Sequence, residues 1–538
     1  MGRAWLIVVM SLWIATLGNL ALWRELGNLP ELQGAKGLSF KIAFGVGIAG
    51  VAAALLALFN WRHVFKPVLT ILLVATALGV YFMLTYGVVL DPGMMTNVLQ
   101  TDWRETRDLL NLRLLMAVGA IAVVPLLWII PHALRTHPWK SQLWRNLLIL
   151  IAGLGLAVAA LMTHYQEFAS VMRNHTKLRY LINPMNSLFS LGVLAAKPLK
   201  SPPGPLQAVG TDATLGDKLH APQSPPPLVL VVLGETARAA NFSLNGYARP
   251  TNPQLAAEGV LSFRQAWSCG TSTATSVPCM FSADGQSEFN DSQPREGLVD
   301  VLRRAGLDVL WLDNQSGCKG VCDRVPNVAP PDWKDPALCD GDGCFDEIMV
   351  KQLDQQIARK LPENARAKGT VVFLHMMGSH GPAYYKRSPP AFKRFQPECA
   401  SNALPECQRE QVVNAYDNSL VYTDHVLASA IAWLKAKGRD RPTALVYVSD
   451  HGESLGENNV YLHGLPYRLA PDEQKRVPWI TWLSPAFERQ RGLNAKCLRR
   501  YVDMPISHDH FFHSVLGLLD VNTATRKSTL DIYGSCAS

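Results

Sequence analysis

The sequence predicts a multi-pass α-helical membrane domain of five spans, followed by an α/β domain whose mostly parallel sheet is sandwiched by helices. Three observations carry that expectation: five long uncharged runs in the first third, a later change to short apolar runs alternating with helical patterns, and ten cysteines that all follow the change. The chain has 538 residues, too many for one compact domain, and its charged fraction of 17% lies below the roughly 25% of soluble domains.

The uncharged runs are Ala4–Trp23, Ile42–Trp61, Pro67–Leu90, Leu114–Pro131 and Asn146–Thr163. Each is close to the ~20 residues a helix needs to cross the hydrocarbon core. Buried helices of a large soluble core are the competing explanation, and five such runs in the first third argue against it. The first run is longer than a signal-peptide core and lacks a clear small-residue cleavage site, so it reads as a retained anchor. Arg3, Arg62, Lys66, Arg135, Lys140 and Arg145 occupy one set of loops, whereas Glu25, Glu31, Asp91, Asp102, Glu105 and Asp108 fall in the other. Lys and Arg favour the cytoplasmic side, so the N-terminus is placed inside, and five spans put everything after Tyr165 outside.

The cysteines point the same way. Cys269 and Cys279, Cys318 and Cys322, Cys339 and Cys344, and Cys399 and Cys407 lie close in sequence, leaving Cys497 and Cys536 as a long-range pair. Zinc knuckles are the alternative, but Cys-x-x-Cys spacing is absent, and an outward-facing domain sits where disulfides persist. The connectivity stays open at this level.

The expected division is a transmembrane domain over residues 1–165, an interfacial segment and Pro-rich linker over 166–227, and a catalytic domain over 228–538. In the segment, Met172, Leu178, Tyr180, Leu181, Leu188, Phe189 and Leu191 could face lipid while Arg173, Lys177 and Arg179 meet headgroups; a connector packed on the domain is the equal alternative. Pro198 to Pro227 is rich in Pro and Gly and reads as a linker or strap.

Beyond it, Pro227–Leu233, Leu307–Leu312, Thr370–Leu374 and Thr443–Ser449 read as strands buried on both faces, with helical stretches such as Gly297–Arg304 and Gln411–Lys435 between them. Chemistry in such folds gathers beyond the carboxyl ends of the strands. Those ends carry Glu235, then Asp313, Asn314, Gln315, Ser316 and Lys319, then His375 and His380, then Asp450, His451 and Glu453. Any one alone would read as a cap or a satisfied core residue. Together, their buried charge would cost several kcal/mol per ion without a partner, and Asp, Glu and His donors suit zinc with one open position. The loop from Ser268 to Cys279, dense in hydroxyls, offers a nucleophile for that position; spacing leaves Thr271, Ser272, Thr273 and Thr275 all open.

These motifs resemble the lipid A phosphoethanolamine transferases, including the mobile colistin-resistance enzymes, within the alkaline-phosphatase-like (sulfatase) superfamily. The matching stretches are Gly-Glu235-Thr-Ala-Arg, Ser-Cys-Gly-Thr-Ser-Thr273-Ala with Ser-Val-Pro-Cys-Met-Phe281, Gly-Cys-Lys319-Gly-Val-Cys-Asp-Arg, His375-Met-Met-Gly-Ser-His380-Gly-Pro, and Ser-Asp450-His451-Gly-Glu through His463-Gly. The resemblance covers almost the whole chain. It implies that Glu235, Asp450 and His451 hold one tight zinc, with Thr273 as fourth ligand and nucleophile. Lys319, His380 and His463 would grip phosphoryl oxygens or a second, weaker zinc, with Thr271, His375 and Ser316 lining the substrate pocket. Asn97, Thr101 and Glu105, spaced by four on one side of a short helix, would contact the ethanolamine headgroup; a solvated helix face is the plain alternative. Family members vary at Ser272 and Gln315, and not all carry the Cys318–Cys322 loop.

The activity so implied moves phosphoethanolamine from phosphatidylethanolamine to a phosphate of lipid A through a Thr273 ester, lowering outer-membrane charge and giving polymyxin resistance. The alternatives are a sister transferase acting on core sugars, Kdo or periplasmic glucans, and a phosphodiesterase or sulfatase-type hydrolase. The sulfatase nucleophile pattern, Cys or Ser followed by x-Pro-x-Arg, is missing around Thr273. The expected partners are membrane lipids, with no nucleic acid and no obligate protein, in a monomer of the bacterial inner membrane with a periplasmic catalytic domain. A net charge of +8 suits approach to anionic lipids.

Overall fold

The computed structural model describes residues 2–101, 103–200, 204–220, 224–290, 293–340, 343–361, 368–439 and 441–537. Asp102, and residues 201–203 and 221–223 of the expected linker, lie outside the described residues. The chain divides into two compact units: Met1–Met95 with Leu110–Ala196, and Thr96–Leu109 with Lys197–Ser538.

The first unit holds five helices long and apolar enough to cross a membrane: Arg3–Asn28, Gly34–Leu58, Phe65–Tyr86, Leu112–Ile129 and Trp139–Thr163. Their ends differ from the uncharged runs for a physical reason. Lys36, Lys41, Lys140 and Arg145 lie inside helices, near the ends, where long side chains reach polar surroundings while their stems stay in apolar ones. The third helix stops at Tyr86 because Gly87 adopts φ +70°, short of Leu90 where the uncharged run ends. The second and fifth helices meet at glycines: a Cβ on Gly50 would lie 2.5 Å from the Gly153 carbonyl oxygen. A buried amide pair adds cross-links, Asn19 donating to the Asn183 carbonyl (2.7 Å) and Asn183 to the carbonyls of Gly18 (3.0 Å) and Thr76 (2.8 Å).

The segment after the fifth span forms helices Tyr165–Asn174, Lys177–Tyr180 and Met185–Lys200. Of the residues that could face either lipid or protein, Met172, Leu178 and Leu181 are buried, whereas Leu188, Phe189 and Leu191 are exposed. Lys177 pairs with Glu25 (2.9 Å) and Arg179 donates to the Met172 carbonyl (2.6 Å), so both are engaged by the protein itself.

The second unit is built on an eight-stranded sheet. Its strands are β1 (Leu228–Gly234), β2 (Leu261–Trp267), β3 (Asp308–Asp313), β4 (Asn327–Val328), β5 (Thr370–His375), β6 (Thr443–Ser449), β7 (Arg476–Leu483) and β8 (Ile506–Ser507). They run in the order β8-β2-β7-β6-β1-β5-β3-β4. Only β7 is antiparallel to its neighbours, β2 and β6. The four strands read from sequence are contiguous in the sheet, in the order β6-β1-β5-β3. β1, β5 and β6 are buried along their whole length, which is what runs of Val and Leu covered on both faces require. Helices Leu298–Ala305 and Arg409–Lys437 fall where helical patterns were read. All ten cysteines are paired: Cys269–Cys279, Cys318–Cys322, Cys339–Cys344, Cys399–Cys407 and Cys497–Cys536.

Candidate metal centre and nucleophile

Because β1 and β6 are parallel neighbours in register, Gly234 opposite Ser449, the residues that follow them emerge side by side. Glu235 leaves β1 and Asp450 and His451 leave β6, all fully buried. His451 Nε2 lies 3.4 Å from Glu235 Oε1 and 3.4 Å from Asp450 Oδ2. The other imidazole nitrogen, Nδ1, is 2.8 Å from the Gly452 carbonyl oxygen, which holds a proton on Nδ1 and turns Nε2 toward the two carboxylates.

One hydroxyl of the loop is set apart from the others by its geometry. Thr273 opens the helix Thr273–Met280, tied to the preceding loop by Cys269–Cys279. Its Oγ1 donates to Glu235 Oε2 at 2.9 Å and lies 3.4 Å from His451 Nε2. Thr271 donates instead to the Leu465 carbonyl (2.7 Å), and the Ser272 and Thr275 hydroxyls lie 3.4 Å from each other.

Glu235, Asp450 and His451 can each offer one ligand atom, all within 4.8 Å of one another. Glu235 Oε1 and Asp450 Oδ2 are buried with no hydrogen-bond partner among the described residues. Burial and the adjacent Asp450 charge push Glu235 up to about 7. Burial opposes charge on His451, but Asp450 and Glu235 outweigh it and raise the imidazole to about 10. The cluster therefore demands a positive charge at its centre, and two carboxylates, an imidazole and a hydroxyl match the donor set of zinc.

Around this centre, His463 sits with its ring 4.3 Å from that of His451 and its Nδ1 3.3 Å from Glu453. His380 is 5.8 Å from His463, ring to ring. Burial, and then neighbouring cationic groups, hold His380 and His463 well below the ordinary histidine value, so both are neutral imidazoles with lone pairs to offer. His375 Nδ1 lies 3.0 Å from Asp313 Oδ2, while its Nε2 is buried without a hydrogen-bond partner among the described residues. Lys319, at φ +51°, donates to Ser316 Oγ (2.9 Å). Of the loop residues, Glu105 comes within 3.9 Å of His380 and 3.5 Å of Gln315 Nε2. Thr101 turns its hydroxyl to the Asn97 carbonyl (2.7 Å), and no hydrogen bond among the described residues joins Asn97 or Thr101 to the cluster.

Several contributors were not singled out from sequence. Gln315 donates to Glu235 Oε2 (3.1 Å), Asp346 accepts from the Met377 and Gly378 amides (both 2.8 Å), and His508 bridges the Cys269 amide (3.1 Å) and the Ser449 carbonyl (3.0 Å). Gln315 was read at the end of its strand but given no role there. Asp346 and His508 carry no local signal, since their partners are fixed only by the tertiary fold.

Comparison with known proteins decides the family. Residues 48–199 match the family described as phosphoethanolamine transferase EptA/EptB, and residues 227–521 match the sulfatase family. Phosphoethanolamine transferase EptA of Escherichia coli K12 is 38% identical over 99% of this chain and 96% of its own length. The chain belongs to the EptA/EptB phosphoethanolamine transferase family. Phosphatidylethanolamine transferase Mcr-1 of Escherichia coli is 37% identical over 96% of this chain and 94% of its own length. The structure of the lipooligosaccharide phosphoethanolamine transferase A of Neisseria meningitidis, an integral membrane protein, superposes with a TM-score of 0.93 at 33% identity, covering 100% of this chain and 99% of that one. The five apolar helices followed by a sulfatase-like α/β unit are thus the family architecture, and the chain is a membrane-bound phosphoethanolamine transferase.

Proposed function

We propose that the enzyme transfers phosphoethanolamine from phosphatidylethanolamine to a phosphate of lipid A, in the bacterial inner membrane with its second unit in the periplasm. The reading is supported by relatives named for this group transfer and, within the site, by one observation above others: a threonine hydroxyl set 2.9 Å from a buried carboxylate, in a cluster where Glu235 Oε1 and Asp450 Oδ2 have no hydrogen-bond partner among the described residues.

Glu235, Asp450 and His451 would hold zinc, with Thr273 completing the set. When bound, zinc supplies the positive charge that makes a nearby hydroxyl more acidic and offsets charge gathering on a phosphoryl group. Thr273 Oγ1 attacks the phosphorus of the donor, the bond to the glycerol oxygen breaks, and diacylglycerol leaves with a proton. A lipid A phosphate oxygen then attacks the same phosphorus, the Thr273 ester bond breaks, and the threonine hydroxyl regains its proton. Lys319, His380 and His463 stabilise the equatorial oxygens, which is most of what phosphoryl transfer requires of a protein. His375, held by Asp313, Ser316 and Thr271 line the same pocket. Glu105 meets the primary ammonium of the donor, with Asn97 and Thr101 on the same loop. Donor and acceptor are both lipids, so anchoring the site to one leaflet raises their effective concentration. Neutralising lipid A phosphates lowers the surface charge that polymyxins bind, and resistance follows.

Mass spectrometry of lipid A from a Gram-negative host expressing the enzyme tests the reading, beside Thr273→Ala. Phosphoethanolamine on lipid A with the intact chain alone is expected. Unchanged lipid A from a well-expressed, membrane-inserted enzyme would remove the acceptor assignment.

A further inference from the structure

The short stretch Thr96–Leu109 lies in sequence between the third and fourth spans, yet packs as part of the catalytic unit. Its second helix, Trp103–Leu109, has seven residues. A helix of that length is not stable alone, so its position depends on tertiary anchors. The tight anchor is Asp108. Its carboxylate is buried and meets two cations, Oδ1 with Lys386 Nζ at 3.0 Å and Oδ2 with Arg387 at 2.7 Å. Its carbonyl accepts from Asn402 Nδ2 at 2.6 Å. Arg387 also donates through Nε to the His380 carbonyl at 2.7 Å. One guanidinium therefore joins the helix to the backbone of a residue in the pocket.

Glu105 lies three residues before Asp108, on the same side of the helix. Its approaches to Gln315 (3.5 Å) and His380 (3.9 Å) are longer than any contact of the Asp108 cluster. Gln315 in turn donates to Glu235, so a shift of this helix would be felt at both the headgroup site and the metal-ligand carboxylate.

We propose that Asp108 is a positioning residue: by clamping the Trp103–Leu109 helix to Lys386, Arg387 and Asn402, it sets Glu105 beside His380 and so fixes selectivity for a primary ammonium on the donor lipid. This rests on the reading of Glu105 as the ammonium partner. Asp108 itself does not touch substrate.

The test uses the full-length enzyme in mixed micelles, with phosphatidylethanolamine and its N-monomethyl analogue as competing donors. Asp108→Asn should raise KM for phosphatidylethanolamine on the order of tenfold, change kcat by less than about threefold, and erase most of the preference for the primary amine. Asp108→Glu should restore the preference in part. Arg387→Lys, which keeps the charge but loses the bridge to His380, should weaken the preference too, and serves if Asp108→Asn fails to fold. Unaltered KM and preference in the folded Asp108→Asn or Arg387→Lys enzyme would overturn the proposal. So would a fall in yield and kcat with KM and preference intact, which is the mark of a purely structural role. Glu105→Gln separates the two layers. If it abolishes the preference while the clamp variants do not, only the positioning role falls; if it leaves the preference intact, the headgroup reading fails and the proposal falls with it.

Discussion

Replacing Gly378 by alanine probes the metal-ligand geometry without altering any candidate ligand. Gly378 sits at φ +52°, in the loop that follows β5. A Cβ there would lie 2.6 Å from the Glu235 carbonyl oxygen and 3.1 Å from the Glu235 Cβ, where ordinary contact begins at 3.4 Å. The left-handed conformation costs a non-glycine residue about 1–2 kcal/mol. The overlap must be relieved by about 0.8 Å of movement, and the neighbour that must yield is the backbone carrying Glu235. A displacement approaching 1 Å at a reacting centre costs on the order of 10²-fold in rate. Gly378→Ala should therefore lower kcat/KM by about that factor and reduce zinc content per chain, while the protein still folds. Transfer assays with a labelled donor, read beside metal analysis of the purified enzyme, give both quantities. Gly378→Asn separates the causes, because asparagine tolerates the left-handed region but still carries a Cβ. Either variant retaining full zinc and activity within about twofold of the parent would refute the close-approach reasoning.

Other outcomes follow from the same structure. Asp313→Ala should destabilise the catalytic unit by about 3–5 kcal/mol, since it strips a buried partner from His375 (3.0 Å), the Trp311 indole (3.0 Å) and the Gln315 amide (2.9 Å); denaturant unfolding of the full-length enzyme measures it. Burial opposes charge on Asp313, but His375 outweighs it and holds the carboxyl below its ordinary value, so this stability is present above the unfolded-state value and lost as pH falls through the folded one; the acid limb of the unfolding curve should flatten in Asp313→Ala. Removing Cys497–Cys536, which closes a separation of 39 residues, by double serine substitution should cost about 4 kcal/mol, read in the same unfolding assay under non-reducing conditions. Stripping zinc with a chelator should abolish transfer and make the second unit easier to cleave by protease, and zinc should restore both, because the unneutralised Glu235 and Asp450 pair opposes folding.

Much of this was legible before any coordinates because it depends on local chemistry. Uncharged runs announce spans, and Val- and Leu-rich runs announce strands covered on both faces, so the carboxylates and imidazoles at their ends could be grouped by topology alone. Spacing could not separate Thr273 from Thr271, Ser272 or Thr275, since all four share one loop; only the register of β1 and β6 and the start of the Thr273 helix bring the Thr273 hydroxyl beside Glu235. Helix ends were misjudged where Lys and Arg lie within a helix, because a search for uncharged runs stops at the first charge. For Met172, Leu178 and Leu181 the sequence left lipid and protein equally open, since an amphipathic stripe does not say what it packs against; the fold buries all three. Asp108 was invisible as an anchor: Lys386 and Asn402 stand 278 and 294 residues away in sequence.

The central claim, that Thr273 carries the group between donor and acceptor, is tested most directly by incubating the full-length enzyme with phosphatidylethanolamine and no acceptor, quenching in acid, and examining the Thr273 peptide by mass spectrometry. The account predicts one phosphoethanolamine on Thr273, discharged when lipid A is added before the quench, and an unmodified peptide from Thr273→Ala. An active enzyme whose Thr273 is never modified, or a Thr273→Ala variant that still transfers the group, would contradict it.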